Sequence, residues 1–119
     1  MTSSEMGAMG GVMESTELDH RVGRLDAIPR GEGRVFAVAG QRMAVFRTHA
    51  DGVFATQELC PHLGGPLADG LIDGGAVICP LHDRTYDLRS GDGLNTDCRV
   101  RTWPARVGPD GVVVVTLAA

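Results

Sequence analysis

The chain has 119 residues, with eleven basic residues, all Arg, against fifteen carboxylates, for a net charge of −4. Its length, without an internal linker, fits a single domain with a modest core, and the acidic balance offers no broad basic face for nucleic acid. Aromatic residues make up 4% of the chain and glycines number 17, which argues against a helix bundle and for a turn-rich β protein.

In chain order, residues 1–16 are rich in Met, Gly, Ser and Glu without helical or strand periodicity, and read as a flexible tail or an expression remnant. Met6, Met9 and Met13 within it read as solvated in preference to soft-metal ligands. The segment has neither a basic n-region nor a continuous apolar h-region, so a cytoplasmic protein with no membrane segment is expected.

From Leu18 the pattern changes to short β-like runs at His20–Leu25, Arg34–Val38, Met43–Thr48, Val53–Gln57, Ala76–Ile78, Val100–Val107 and Val112–Leu117. Gly31-Glu32-Gly33, Ala39-Gly40-Gln41, Asp51-Gly52 and Pro109-Asp110-Gly111 supply the reversals between them. The Val112–Val115 run does not alternate, so it is either buried on both faces or edge-paired. Together these runs predict an all-β antiparallel sandwich over residues 17–119. Between about 59 and 95 the regularity gives way to Gly- and Pro-rich loops, read as a small subdomain that cannot bury enough apolar surface to hold itself.

Those loops read Cys60-Pro61-His62-Leu63-Gly64-Gly65-Pro66 and Cys79-Pro80-Leu81-His82-Asp83-Arg84-Thr85-Tyr86. Three cysteines form no even disulfide framework, and two of them fall in this pattern with two histidines, so metal ligation by Cys60, His62, Cys79 and His82 is expected. One thiolate and one imidazole from each of two similar loops match a [2Fe–2S] cluster with two thiolates on one iron and two imidazoles on the other. Glycines let backbone approach bridging sulfides closely and aim amides at them, with Gly64 and Gly65 the candidate positions. A structural Cys₂His₂ zinc site has the same inventory, but Cys-x-His is short for its paired-ligand turn and no finger helix follows. A Cys–His nucleophile needs one such pair beside an orienting group, and here there are two.

The ligand spacing resembles that of the Rieske ferredoxin-like family, over roughly residues 18–117. Val53–Gln57, the Gly65–Gly70 loop, Asp87–Gly91 and Val100–Pro104 look most like the small subunit of assimilatory NAD(P)H-dependent nitrite reductase. That resemblance implies one Rieske-type [2Fe–2S] cluster per chain and a large flavin- and sirohaem-containing catalytic subunit as partner. The ferredoxin component of a ring-hydroxylating dioxygenase system, working between a reductase and an oxygenase, is similar in size and motif. A non-redox zinc-binding module is the reading from another class. No Gly-rich phosphate-binding motif lies between a strand and a helix, so substrate turnover is expected on a partner.

The resemblance also locates departures. Respiratory relatives brace the loops with a disulfide, and the matching positions here look to be Gly65 and Leu81. Their cluster-facing Ser corresponds to Arg84, while Tyr86 keeps their Tyr, either as a tuner of the cluster or simply as an aromatic at a strand start. A potential in the lower part of the Rieske range, roughly −150 to +300 mV, is implied, raised if the Tyr86 hydroxyl reaches Cys60. Asp83-Arg84 puts charge at the exposed edge, as a docking feature or a solvated ion pair. Cys98 reads as a packing residue of a third, covering loop, His20 and His49 as solvent-facing, and Trp103 as a core or subdomain contact.

Overall fold

The apolar runs fold as strands of three antiparallel sheets in a computed structural model that describes residues 17–81 and 83–118. The expected tail, residues 1–16, and the expected ligand His82 lie outside the described residues. The strands are β1 (Glu17–Arg24), β2 (Glu32–Val38), β3 (Gln41–Arg47), β4 (Val53–Gln57), β5 (Leu71–Asp73), β6 (Ala76–Ile78), β7 (Thr85–Asp87), β8 (Thr102–Trp103), β9 (Ala105–Val107) and β10 (Val112–Ala118). One sheet runs β8-β4-β3-β2, a second β9-β10-β1 and a third β5-β6-β7. No helix among the described residues is long and apolar enough to cross a membrane.

β3 explains the layering. Side chains alternate across a strand, yet Met43, Ala44, Val45 and Phe46 are all fully buried. Met43 and Val45 join a core with Ile28, Trp103, Val113, Val115 and Leu117, between the first two sheets. Ala44 and Phe46 face the other way, into a core with Leu67, Val77, Tyr86 and the two loop cysteines. The strand is covered on both faces, by the second sheet and by the loop region. Each large side chain buried here contributes roughly 1.5–3 kcal/mol.

β10 resolves the ambiguity of its valine run. It is the central strand of its sheet, and Val112 to Val115 are all buried. Its pairing with β1 shifts register between Val113 and Val114, opposite Gly23 and Arg21, so Val22 is the extra residue of a bulge.

The β2–β3 hairpin turns on Ala39 and Gly40, whose φ angles of 52° and 79° match the right-handed twist of the flanking strands. The β3–β4 reversal closes where Thr48 N–H donates to the Gly52 carbonyl at 2.8 Å. Its left-handed residue is Asp51, φ 67°, whose carboxylate accepts hydrogen bonds from Arg30 and Arg47.

The single run expected over Val100–Val107 is corrected to two strands. Thr102–Trp103 pairs with β4 and Ala105–Val107 with β10. Pro104 between them has no N–H to continue a ladder, and there the chain passes from one sheet to the other. Leu25, expected in the first strand, begins a 3₁₀ turn over Leu25–Ala27. Strands β5 and β7 had no counterpart among the expected runs.

Candidate metal centre

The two Cys/His loops share one backbone frame. In the first, Leu59 pairs with Pro66 across an antiparallel bridge, Cys60 N–H donates to the Gly65 carbonyl at 2.7 Å, and Gly64 N–H returns to the Cys60 carbonyl at 2.8 Å. In the second, Ile78 pairs with Thr85, Cys79 N–H donates to the Arg84 carbonyl at 2.7 Å, and Asp83 N–H returns to the Cys79 carbonyl at 3.2 Å. Every partner stands at the same offset from its cysteine. Each loop turns on a left-handed residue four positions on, Gly64 at φ 74° and Asp83 at φ 58°.

The frame sorts the expected ligands by depth. Cys60 and Cys79 are each 2% exposed and lie in one buried cluster with Tyr86, whereas His62 is half-buried beside the exposed Leu63. Among the described residues no disulfide joins Cys60, Cys79 or Cys98.

Gly65 stands close against the second loop. A Cβ there would stand 2.6 Å from Cys79 Sγ and 3.1 Å from Leu81 Cγ, so only hydrogen fits beside the sulfur. The nearness of Leu81 also shows that the two positions matched to the disulfide of respiratory relatives face each other. Gly64 differs: a Cβ would meet nothing within 4 Å, and its left-handed φ is what calls for glycine.

Tyr86 is fully buried, with its hydroxyl 3.1 Å from Cys60 Sγ. With Cys60 as a thiolate the phenol donates this bond and draws charge from sulfur. Burial, and then the contact with Cys60, push its pKa well above the ordinary phenol value.

Two further contacts were not read from the sequence. The Arg84 guanidinium reaches the first loop, with Nη2 3.1 Å from His62 Nε2. Asn95 holds the second loop from outside: its amide nitrogen donates to the Asp83 carbonyl and its oxygen accepts from Thr85 N–H. Neither has a motif, because each depends on a fold that brings separate loops together. Asp87 Oδ1 caps the next turn by accepting from the N–H groups of Arg89 and Ser90, which holds its pKa below the usual carboxylate value.

Cys98 is half-buried against the same cluster, and Trp103 lies in the sandwich core with Arg101 stacked 4.7 Å above its ring. His49 is exposed and His20 half-buried. Among the described residues, which omit His82, no three His, Cys, Asp or Glu side chains form a site for a single metal ion. The donor chemistry fits a two-iron cluster: buried thiols from like loops, an imidazole nearer the surface, and a sulfur cradled by glycine.

A β sandwich bearing paired Cys/His loops at one end defines the class of iron–sulfur electron-transfer proteins. The chain belongs to the Rieske [2Fe–2S] family, whose domain model matches residues 19–109, and a Rieske-type [2Fe–2S] cluster is its cofactor. It is 38% identical over 95 residues to the anthranilate 1,2-dioxygenase ferredoxin subunit of Burkholderia cepacia, covering 79% of this chain and 83% of that one. A candidate NADH-dependent nitrite reductase small subunit of Mycobacterium tuberculosis superposes with TM-score 0.79 at 25% identity, covering 87% of this chain and 97% of that one. The ferredoxin of carbazole 1,9a-dioxygenase from Nocardioides aromaticivorans gives TM-score 0.73 at 30% identity, covering 82% and 95%.

Proposed function

We propose that Cys60, His62, Cys79 and His82 hold the cluster, and that the chain is the electron-transfer subunit of an NAD(P)H-dependent nitrite reductase. The shared frame of the two loops carries the ligand assignment, since it holds Cys60 and Cys79 at equivalent places, each followed two or three residues on by a histidine of the sequence. Superposition on 97% of the M. tuberculosis chain supports the partner, together with the likeness of the Asp87–Gly91 and Val100–Pro104 segments.

When bound, the cluster supplies one-electron redox chemistry. The protein supplies the rest. Burial of Cys60 and Cys79 keeps water from the inner end, while His62, Leu63 at 66% exposure and Leu81 at 52% form a rim that a partner can approach. Tyr86 withdraws charge from the Cys60 sulfur and so favours the reduced state.

A second reading rests on its own observation: the 38% identity to a dioxygenase ferredoxin subunit supports delivery of electrons to an oxygenase from its reductase. Purified holoprotein added to a large nitrite reductase subunit lacking its small subunit separates the two. Restored NADH-dependent nitrite reduction supports the first reading. No restoration, with turnover instead in a dioxygenase reductase and oxygenase pair, overturns it in favour of the second.

A further inference from the structure

Gly65 and Arg84 are matched residues of the two loops, each giving its carbonyl to the N–H of its own cysteine. At Gly65 the space for a side chain is filled by Cys79 Sγ. Arg84 instead sends a long side chain to the opposite loop, where its Nη2 lies 3.1 Å from His62 Nε2. It is half-buried, so the contact is less screened than one on the open surface.

A guanidinium keeps its charge at every working pH and only donates hydrogen bonds. Reduction adds one negative charge to the cluster, so a fixed positive charge against one of its ligands stabilises the reduced form more than the oxidised form. When a neutral His62 ligates through its other ring nitrogen, Nε2 carries the proton, so the guanidinium acts on the ring through its charge and not through a hydrogen bond.

We propose that Arg84 is a tuning residue: from the second loop it sets a fixed positive charge beside the His62 ring, and that charge raises the reduction potential of the cluster. This rests on His62 being an iron ligand. Because the Arg84 carbonyl, not its side chain, accepts the Cys79 N–H, a side-chain substitution removes the charge and leaves the loop closure.

The test is a spectroelectrochemical titration of the holoprotein and of its Arg84→Gln and Arg84→Lys variants at one ionic strength, with iron and sulfide assayed in each. Arg84→Gln is expected to retain the cluster and to shift the one-electron equilibrium about tenfold toward oxidation, a fall of about 59 mV. Arg84→Lys, which keeps the charge, is expected to retain most of the native midpoint. An intact Gln variant with an unchanged midpoint overturns the proposal, as does a Lys variant that falls as far as Gln. Should the Gln variant not hold its cluster, Arg84→Lys decides alone: a near-native midpoint supports the role of charge, and a tenfold shift refutes it. A native protein without iron and sulfide overturns the ligand assignment instead, a result distinct from either.

Discussion

Gly64 and Asp83 occupy the same place in two Cys/His loops of one backbone frame, both left-handed, each donating its N–H to the carbonyl of its own cysteine. Only one of them is a glycine. An L-residue in this conformation costs roughly 1–2 kcal/mol, with Asp among the better tolerated, so the second loop carries strain that the first avoids.

Asp83→Gly is therefore expected to stabilise the protein by about 0.5–1 kcal/mol, the relief being partly offset by the greater freedom of glycine in the unfolded chain. Gly64→Ala is expected to destabilise by about 1 kcal/mol or more from the same source. Thermal unfolding of the two variants beside the native protein checks both signs.

Adjacent glycines of the first loop should fail differently. A Cβ at position 65 would stand 2.6 Å from Cys79 Sγ, while one at 64 would meet nothing. Gly65→Ala is expected to lower the iron and sulfide retained on purification. Gly64→Ala is expected to keep its cluster and lose only stability. Equal cluster loss in the two variants would contradict the close approach at Gly65.

Tyr86→Phe removes the hydroxyl 3.1 Å from Cys60 Sγ and leaves the buried ring. The cluster is expected to remain while the midpoint potential falls by about 30–60 mV, a three- to tenfold change in the one-electron equilibrium. A titration showing the native midpoint would remove Tyr86 as a tuner and leave it a packing residue.

Hydrogen bonds from Arg30 and then Arg47 lower the Asp51 pKa from an ordinary 3.8 to about 2. A carboxylate depressed by folding adds stability that is fully present above its unfolded pKa and lost as pH falls through the folded value. The contribution should thus fade between about pH 4 and pH 2. Asp51→Asn is expected to flatten the dependence of melting temperature on pH in that window, and an unchanged slope would show that the Arg pair does not act there.

How far the sequence foretold this arrangement depends on whether the signal was local. Val53–Gln57 and Ala76–Ile78 were read with their observed bounds, because apolar and β-branched runs between turn residues are a local signal. Leu71–Asp73 and Thr85–Asp87 were not among the expected runs because each is three residues ending on Asp within the loop-rich region, and the two strands after Val100 were merged because Pro104 was not weighed as a break. The spacing of Cys60, His62 and Cys79 marked the two loops as the candidate site, while the contact of Tyr86 with Cys60 was one of two readings left open by the resemblance. The Arg84–His62 and Asn95–Asp83 contacts join residues of separate loops, and no pattern along the chain encodes them.

The central claim is ligation of one two-iron cluster by two thiolates and two imidazoles. Iron and sulfide analysis, joined to pulsed EPR of the reduced holoprotein, tests it most directly. Two irons and two sulfides per chain are expected, with nitrogen couplings from two imidazoles and loss of one set in His62→Cys. A colourless protein with one zinc per chain, or a reduced cluster without imidazole nitrogen coupling, would contradict it.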